Sequence, residues 1–200
     1  MKTRSALAPQ RRHGKLRVAA LLEAGAAVIA EKGFQAATMA EIATRAGAPI
    51  GSLYRFFPNK EILADALIQL FAERIKDLFE AINRRIKSMS LEELTDALLN
   101  IMLDLRGERE TMRALLETHA DWSAKRGEFR NGMRRHIAKT LTLRDPKLNP
   151  KAAMAMAIVI LQNMKAVGAL DQELRGDALS TALAELREMT RLYLSDKLNG

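Results

Sequence analysis

Apolar residues recur at three- and four-residue intervals along most of the chain, and no long stretch alternates apolar with polar at a spacing of two. The pattern predicts amphipathic helices and an all-α fold. A first helix is expected over residues 15–32, with Val18, Leu21, Leu22, Gly25, Val28 and Ile29 along one face and Gly33 as its C-terminal stop. Phe34 then returns to the core. Thr38 and Glu41 follow at the T-x-x-E spacing of a capping box, which predicts the start of a short helix. Its inward residues are Ile42, Ala43 and Ala46, and it ends at Gly47, where a tight turn can use positive φ without a Cβ penalty. A third helix is expected from Pro49 or Ile50 to Phe57, with Pro49 in its first turn and Leu53 and Phe56 facing inward.

Beyond this segment the periods lengthen. A long helix is predicted over 59–87, with Ile62, Leu63, Ala66, Leu70, Ile75, Leu78 and Ile82 on or near one stripe. Further helices are expected at 91–106, ending near Gly107, at 109–124, ending near Gly127, and at 128–143. Pro146 to Pro150 reads as a loop, with Pro150 opening the next helix. From Ala152 to Leu161 the residues leave almost no polar face, which predicts burial on two sides. The last helix carries a stripe of Leu179, Leu183, Leu186, Thr190 and Leu194. Two such helices from each of two subunits would form a four-helix dimer interface.

Composition narrows the chemistry. The 200 residues, 48% of them hydrophobic, suffice for a sizeable core, or for a small head on a larger body. With no cysteine there are no disulfides, thiolate metal sites or cysteine nucleophiles, which fits a reducing cytoplasm. The longest fully apolar run, Ala152 to Leu161, is about half of what a bilayer-spanning helix needs, so a soluble, cytoplasmic protein is expected. H-E-x-x-H, a phosphate-binding glycine loop and a nucleophile elbow are all missing. Catalysis, a metal and a cofactor are therefore not expected.

The net charge of +8 is unevenly spread. Residues 1–60 hold ten Lys and Arg against three Glu, whereas the remainder is close to balanced. Concentrated positive charge gains affinity for a phosphate polymer by releasing condensed counterions, although a basic face can also serve solubility alone. The expected organisation is a flexible basic arm (1–14), a compact DNA-binding head (15–60) and a helical body (61–200).

Two short helices joined by a glycine turn, with Ala43 at their contact and Leu53 beyond it, form a helix-turn-helix pattern. The whole string from Thr38 to Leu63 sharpens it: Thr38, Ile42-Ala43, Ala46-Gly47, Gly51-Ser52-Leu53-Tyr54, Phe57-Pro58-Asn59-Lys60 and then the long helix. This string resembles the N-terminal signature of the TetR family of bacterial transcriptional regulators. The resemblance implies a homodimer on a palindromic operator that represses, and that releases DNA when a small molecule enters its C-terminal domain.

Residue by residue, the resemblance implies that Thr38 gives its cap and hydroxyl to a phosphate, with the small Ala40 near the groove. Pro49, Ile50, Gly51 and Ser52 would form the turn of the recognition helix that meets base edges. Tyr54 would donate to a phosphate, Lys60 would make another phosphate contact, and Arg55 would pair with phosphate or read guanine. The family often has Ser or Thr where this chain has Pro49, which replaces a hydroxyl contact by an apolar one suited to a thymine methyl.

For the effector, the central methionines offer adaptable apolar lining. Met102, His119, Trp122 and Asn163 are the expected contacts for a small, mostly apolar ligand. A histidine satisfied within the core is the other reading of His119. Two rivals share parts of this picture: an architectural DNA binder indifferent to sequence, and a protein-interaction module whose basic head is incidental.

Overall fold

The computed structural model describes residues 12–117 and 123–198. Among the described residues there are nine helices and no strand: α1 (Arg12–Ala36), α2 (Met39–Arg45), α3 (Ile50–Phe56), α4 (Lys60–Arg85), α5 (Leu91–Asp104), α6 (Arg106–Glu117), α7 (Ser123–Arg144), α8 (Pro150–Glu173) and α9 (Gly176–Leu198). The chain divides into two compact units. One comprises the described residues of Met1–Glu73 and Glu108–Arg126; the other comprises those of Arg74–Gly107 and Gly127–Gly200.

In the first unit, α1 starts at Arg12, so His13 and Gly14 belong to the helix and not to the arm expected over 1–14. The first-turn amides of a helix have no intrahelical acceptor in any case, so an early glycine interrupts little there. Residues 1–11 lie outside the described part. Gly33 stops the regular helix as expected, at φ +79°. The core of the unit includes Leu21, Ala24, Val28, Ile29, Phe34, Ile42, Leu53, Phe57, Leu63 and Leu67, all buried. Phe57, 2% exposed, takes the inward place expected of Phe56, which is only half-buried. Backbone at Phe57 has already left the helix (φ −127°), and the change of direction swings its ring inward. The Oγ1 of Thr111 donates to the carbonyl of Ala26 at 3.0 Å, fastening α6 to α1, and Lys125 pairs with Asp65 of α4.

Along α4 the buried row is Leu63, Leu67, Phe71, Ile75, Phe79, Ile82 and Ile86. It keeps Leu63, Ile75 and Ile82 of the expected stripe but takes Leu67, Phe71 and Phe79 in place of Ala66, Leu70 and Leu78. Leu70 is 52% exposed and Leu78 half-buried, because the two phenylalanines at 71 and 79 bury more area than the leucines beside them.

In the second unit α5 packs against both α8 and α9, which also pack on each other. A second capping box, Ser90 with Glu93, starts α5, and Asn149 caps α8 with Pro150 behind it. Polar ties cross the packing. Arg187 Nε lies 3.0 Å from the Asp96 carboxylate, and Arg144 Nη1 donates to the carbonyls of Ile86 (3.1 Å) and Met89 (2.7 Å). Arg106 pairs with the buried Asp171 of α8. The break expected near Gly107 falls at Leu105, between α5 and α6, with Gly107 in the first turn of α6; Gly127, expected to end a helix, lies inside α7. A single interior glycine costs only about 1 kcal/mol, which tertiary packing overrides.

By length and composition α8 could cross a membrane, but one of its faces is buried within the unit. Ala153, Met156, Ala157, Ile160, Leu161 and Met164 are covered. The other face is open: Met154, Ile158 and Val159 are 36%, 40% and 42% exposed. Burial on two sides is therefore not met within one chain. On α9, Leu183, Leu186, Thr190 and Leu194 are buried and Leu179 half-buried, while Met189 and Leu192 are exposed.

Candidate nucleic-acid interface

The capping box expected from Thr38 and Glu41 forms in full. Glu41 N donates to Thr38 Oγ1 (3.2 Å), and Thr38 N donates to Glu41 Oε2 (3.1 Å). The Thr38 hydroxyl also gives its proton to Glu41 Oε2 at 2.9 Å. The other Glu41 oxygen receives Lys32 from α1, and Arg45 of α2 reaches Glu31 of α1 at 2.6 Å. Two ion pairs thus clamp α2 onto α1. Lys32, then Thr38, hold the Glu41 carboxyl below its ordinary range, and the hydrogen bond from Arg45 does the same for Glu31. These pairs join residues 9 and 14 positions apart, so no local spacing rule announces them.

At the end of α2, Ala48 N donates to Ala43 O (2.9 Å) and Gly47 N to Thr44 O (3.0 Å), with Gly47 at φ +56°. This is a Schellman cap, and it needs the left-handed backbone that glycine adopts freely. The turn delivers α3 at once. Pro49 is its N-cap and not its first helical residue: its carbonyl accepts from Ser52 N at 2.8 Å, and Ile50 begins the helix.

One side of α3 is sealed by Leu53, which is fully buried. The opposite side is open. Ile50 is 44% and Tyr54 50% exposed; Pro49, Gly51 and Arg55 are exposed as well, and Ser52 is half-buried. A Cβ at Gly51 would meet nothing within 4 Å. Nothing inside the chain requires glycine there. The Arg55 guanidinium lies 5.8 Å from the centre of the Phe56 ring. Thr38 and Ala40, on α2 and its cap, are likewise exposed.

Lys60 sits differently from its neighbours in the predicted set. Its Nζ donates to the carbonyls of Gln35 and Ala37, both at 2.9 Å, and lies 4.7 Å from the centre of the Phe34 ring. Two of its three ammonium protons are therefore already engaged. Among the expected effector contacts, Met102 is half-buried, and Asn163 Nδ2 donates to Thr190 Oγ1 at 3.0 Å, tying α8 to α9. His119 and Trp122 lie outside the described residues. Among the described residues no three His, Asp or Glu side chains gather to hold a metal ion.

The sequence profile of bacterial regulatory proteins of the tetR family matches residues 21–67, the stretch that runs from the α1 core through the helix-turn-helix into α4. Residues 21–67 carry the N-terminal domain of the TetR family. The chain is 37% identical over 67 residues to the fatty acid metabolism regulator protein of Bacillus subtilis, covering 34% of this chain and 33% of that protein. It is 40% identical over 65 residues to the HTH-type transcriptional repressor KstR2 of Mycobacterium tuberculosis, covering 30% of this chain and 32% of that one. The match thus spans about a third of the length of these curated relatives. The fold extends further. A transcriptional regulator of the TerR/AcrR family from Aquifex aeolicus has a TM-score of 0.72 at 23% identity, over 88% of this chain and 99% of that one. The likeness of fold therefore covers nearly the whole chain.

Proposed function

We propose that the chain is a sequence-specific DNA-binding transcriptional regulator. It acts as a cytoplasmic homodimer that represses from a palindromic operator and is released by a small, mostly apolar effector. The observation that carries the reading is the outward face of α3. Pro49, Ile50, Gly51, Tyr54 and Arg55 stand exposed on a helix whose other side is sealed by Leu53, and Gly51 has no reason inside the chain to be glycine. A recognition helix has this form, with a bare N-terminal turn for base edges and a hydroxyl and a cation behind it for phosphate. The relatives named as a metabolic regulator and a transcriptional repressor support the same role and its sign.

In this reading residues 15–60 carry DNA binding, with Thr38, Ala40 and Ser52 completing the contact surface and Lys60 offering its remaining proton. Residues 61–200 carry dimerisation and the effector site. The exposed apolar side chains of α8 and α9 form the dimer surface, and two heads then engage major grooves roughly 34–36 Å apart. Met102, His119, Trp122 and Asn163 are the proposed effector contacts.

Selection of bound sites from a random duplex library, repeated with Tyr54→Ala and Arg55→Ala, tests the proposal. The expected result is an enriched palindrome weakened about 3- to 10-fold by each substitution. Salt-driven binding with no enriched sequence would replace it by an architectural role.

A further inference from the structure

Within the second unit, α4 and α7 frame a cleft of about 230 Å³ that the DNA-binding reading does not use. Lys76 and Glu80 face it from α4; Arg135, His136 and Lys139 face it from α7. Three permanent cations thus meet a single carboxylate. Lys76 takes up that carboxylate, with its Nζ 3.7 Å from Glu80 Oε1. Among the described residues neither Arg135 nor Lys139 belongs to an ion pair, although both are exposed and pairing would be easy to supply.

The fifth group is held in place. The His136 ring stacks on Phe79 with centroids 5.2 Å apart and planes 12° from parallel, and Phe79 is fully buried beneath it. His136 is therefore a fixed, half-buried imidazole at the edge of a positive cleft. Burial pushes its pKa below the ordinary histidine value, and Lys139, Arg135 and Lys76 push the same way, opposed by Glu80 alone. A Cβ at Gly132, on the α7 side, would have only the Arg135 guanidinium near it, at 3.9 Å, so the cleft is not filled from that side.

We infer that this cleft binds a small anionic group, a phosphate or a carboxylate, with Arg135 and Lys139 as its charge partners and the His136 ring as a directional donor. The volume lies below the range of sites for drug-sized ligands, so it suits a headgroup-sized ion and not a whole apolar effector. Binding an anion supplies the negative charge that the cleft lacks, and it favours the protonated imidazole. The site therefore gains affinity as pH falls toward His136's own titration. It belongs to the body and does not depend on the head's reading of DNA.

The test uses the full chain. His136 is titrated by proton NMR at constant ionic strength, with chloride as the reference anion and inorganic phosphate, methyl phosphate or acetate added in separate arms. The expected result is a saturable rise of roughly half a unit or more in the His136 pKa, measured against the chloride reference. The Arg135→Gln/Lys139→Gln double variant, which alters only exposed side chains and keeps its helical circular dichroism, loses that rise. Stronger response to methyl phosphate than to inorganic phosphate identifies a phosphate carried on an organic molecule; the reverse identifies the free ion; response to acetate alone identifies a carboxylate. If His136 answers none of the three beyond chloride, or if the double variant answers as the parent does, the site is refuted.

Discussion

Lys60 Nζ lies 4.7 Å from the centre of the Phe34 ring and donates to two carbonyls, Gln35 O and Ala37 O, at the end of α1 and just beyond it. A cation at a helix C-terminus satisfies orphan acceptors and the dipole together. A residue that the sequence marks for phosphate thus also holds α1 to α4 within the head.

Lys60→Ala is accordingly expected to lower the unfolding free energy by about 2 kcal/mol, the usual cost of losing charge-assisted hydrogen bonds. Denaturant unfolding followed by circular dichroism measures it. A phosphate contact has its own signature, a fall of about one in the salt dependence of operator binding, measured where the variant is still folded.

Gly25 of α1 meets Leu63 of α4 so closely that a Cβ would stand 2.9 Å from Leu63 Cδ2. Overpacking a buried leucine costs about 1–3 kcal/mol, and replacing helical glycine by alanine returns about 1. Gly25→Ala should therefore destabilise the protein by roughly 1 kcal/mol. Combining it with Leu63→Val, which removes the obstructing methyl, should cost less than the sum of the two single changes. Strict additivity in that cycle would contradict the contact.

Acid should loosen the α1–α2 clamp. Glu41 and Glu31 are both held below their ordinary value of 4.5, through Lys32 and Thr38 and through Arg45 respectively. A carboxylate depressed in the folded state contributes stability above its unfolded pKa and loses it as pH falls through the folded one. Thermal midpoints are thus expected to drop as pH is lowered below 4.5. Thr38→Ala removes a cap worth about 0.5–2 kcal/mol at neutral pH, and it should flatten this acid response because Thr38 contributes to holding the Glu41 charge.

Ile158→Glu places a charge on the open face of α8, where Ile158 is 40% exposed in the single chain. Sedimentation should report a monomer in place of a dimer, with helical content retained. Operator affinity should fall steeply, since one head loses the contribution of the other. A dimer that survives this change together with Val159→Asp would move the interface elsewhere.

Local signals were the legible ones. Thr38 with Glu41, Gly33 and Gly47 each act within a few residues of chain, so their cap, stop and turn could be read directly. An interior glycine misled, because Gly127 carries the same letter as a stop while the helix around it is held by packing that no local pattern encodes. Part of the α4 stripe, at 66, 70 and 78, shifted by one position for a related reason. Leu70 and Phe71 are both apolar, and only the volume of the neighbouring core decides which turns in. Of the proposed DNA face, the exposed residues of α3 follow from the helix-turn-helix spacing. The dual role of Lys60 does not, since its acceptors lie 25 and 23 residues upstream.

The uncovered row of Met154, Ile158 and Val159 on α8, with Met189 and Leu192 on α9, makes abundance a folding variable. If a second copy covers that row, the native state is favoured by mass action, and its melting temperature climbs with protein concentration. At low copy number a larger share of chains would stand open to proteases. Expression level would then help to set the protein's own lifetime, and a cell could clear the regulator simply by ceasing to make it.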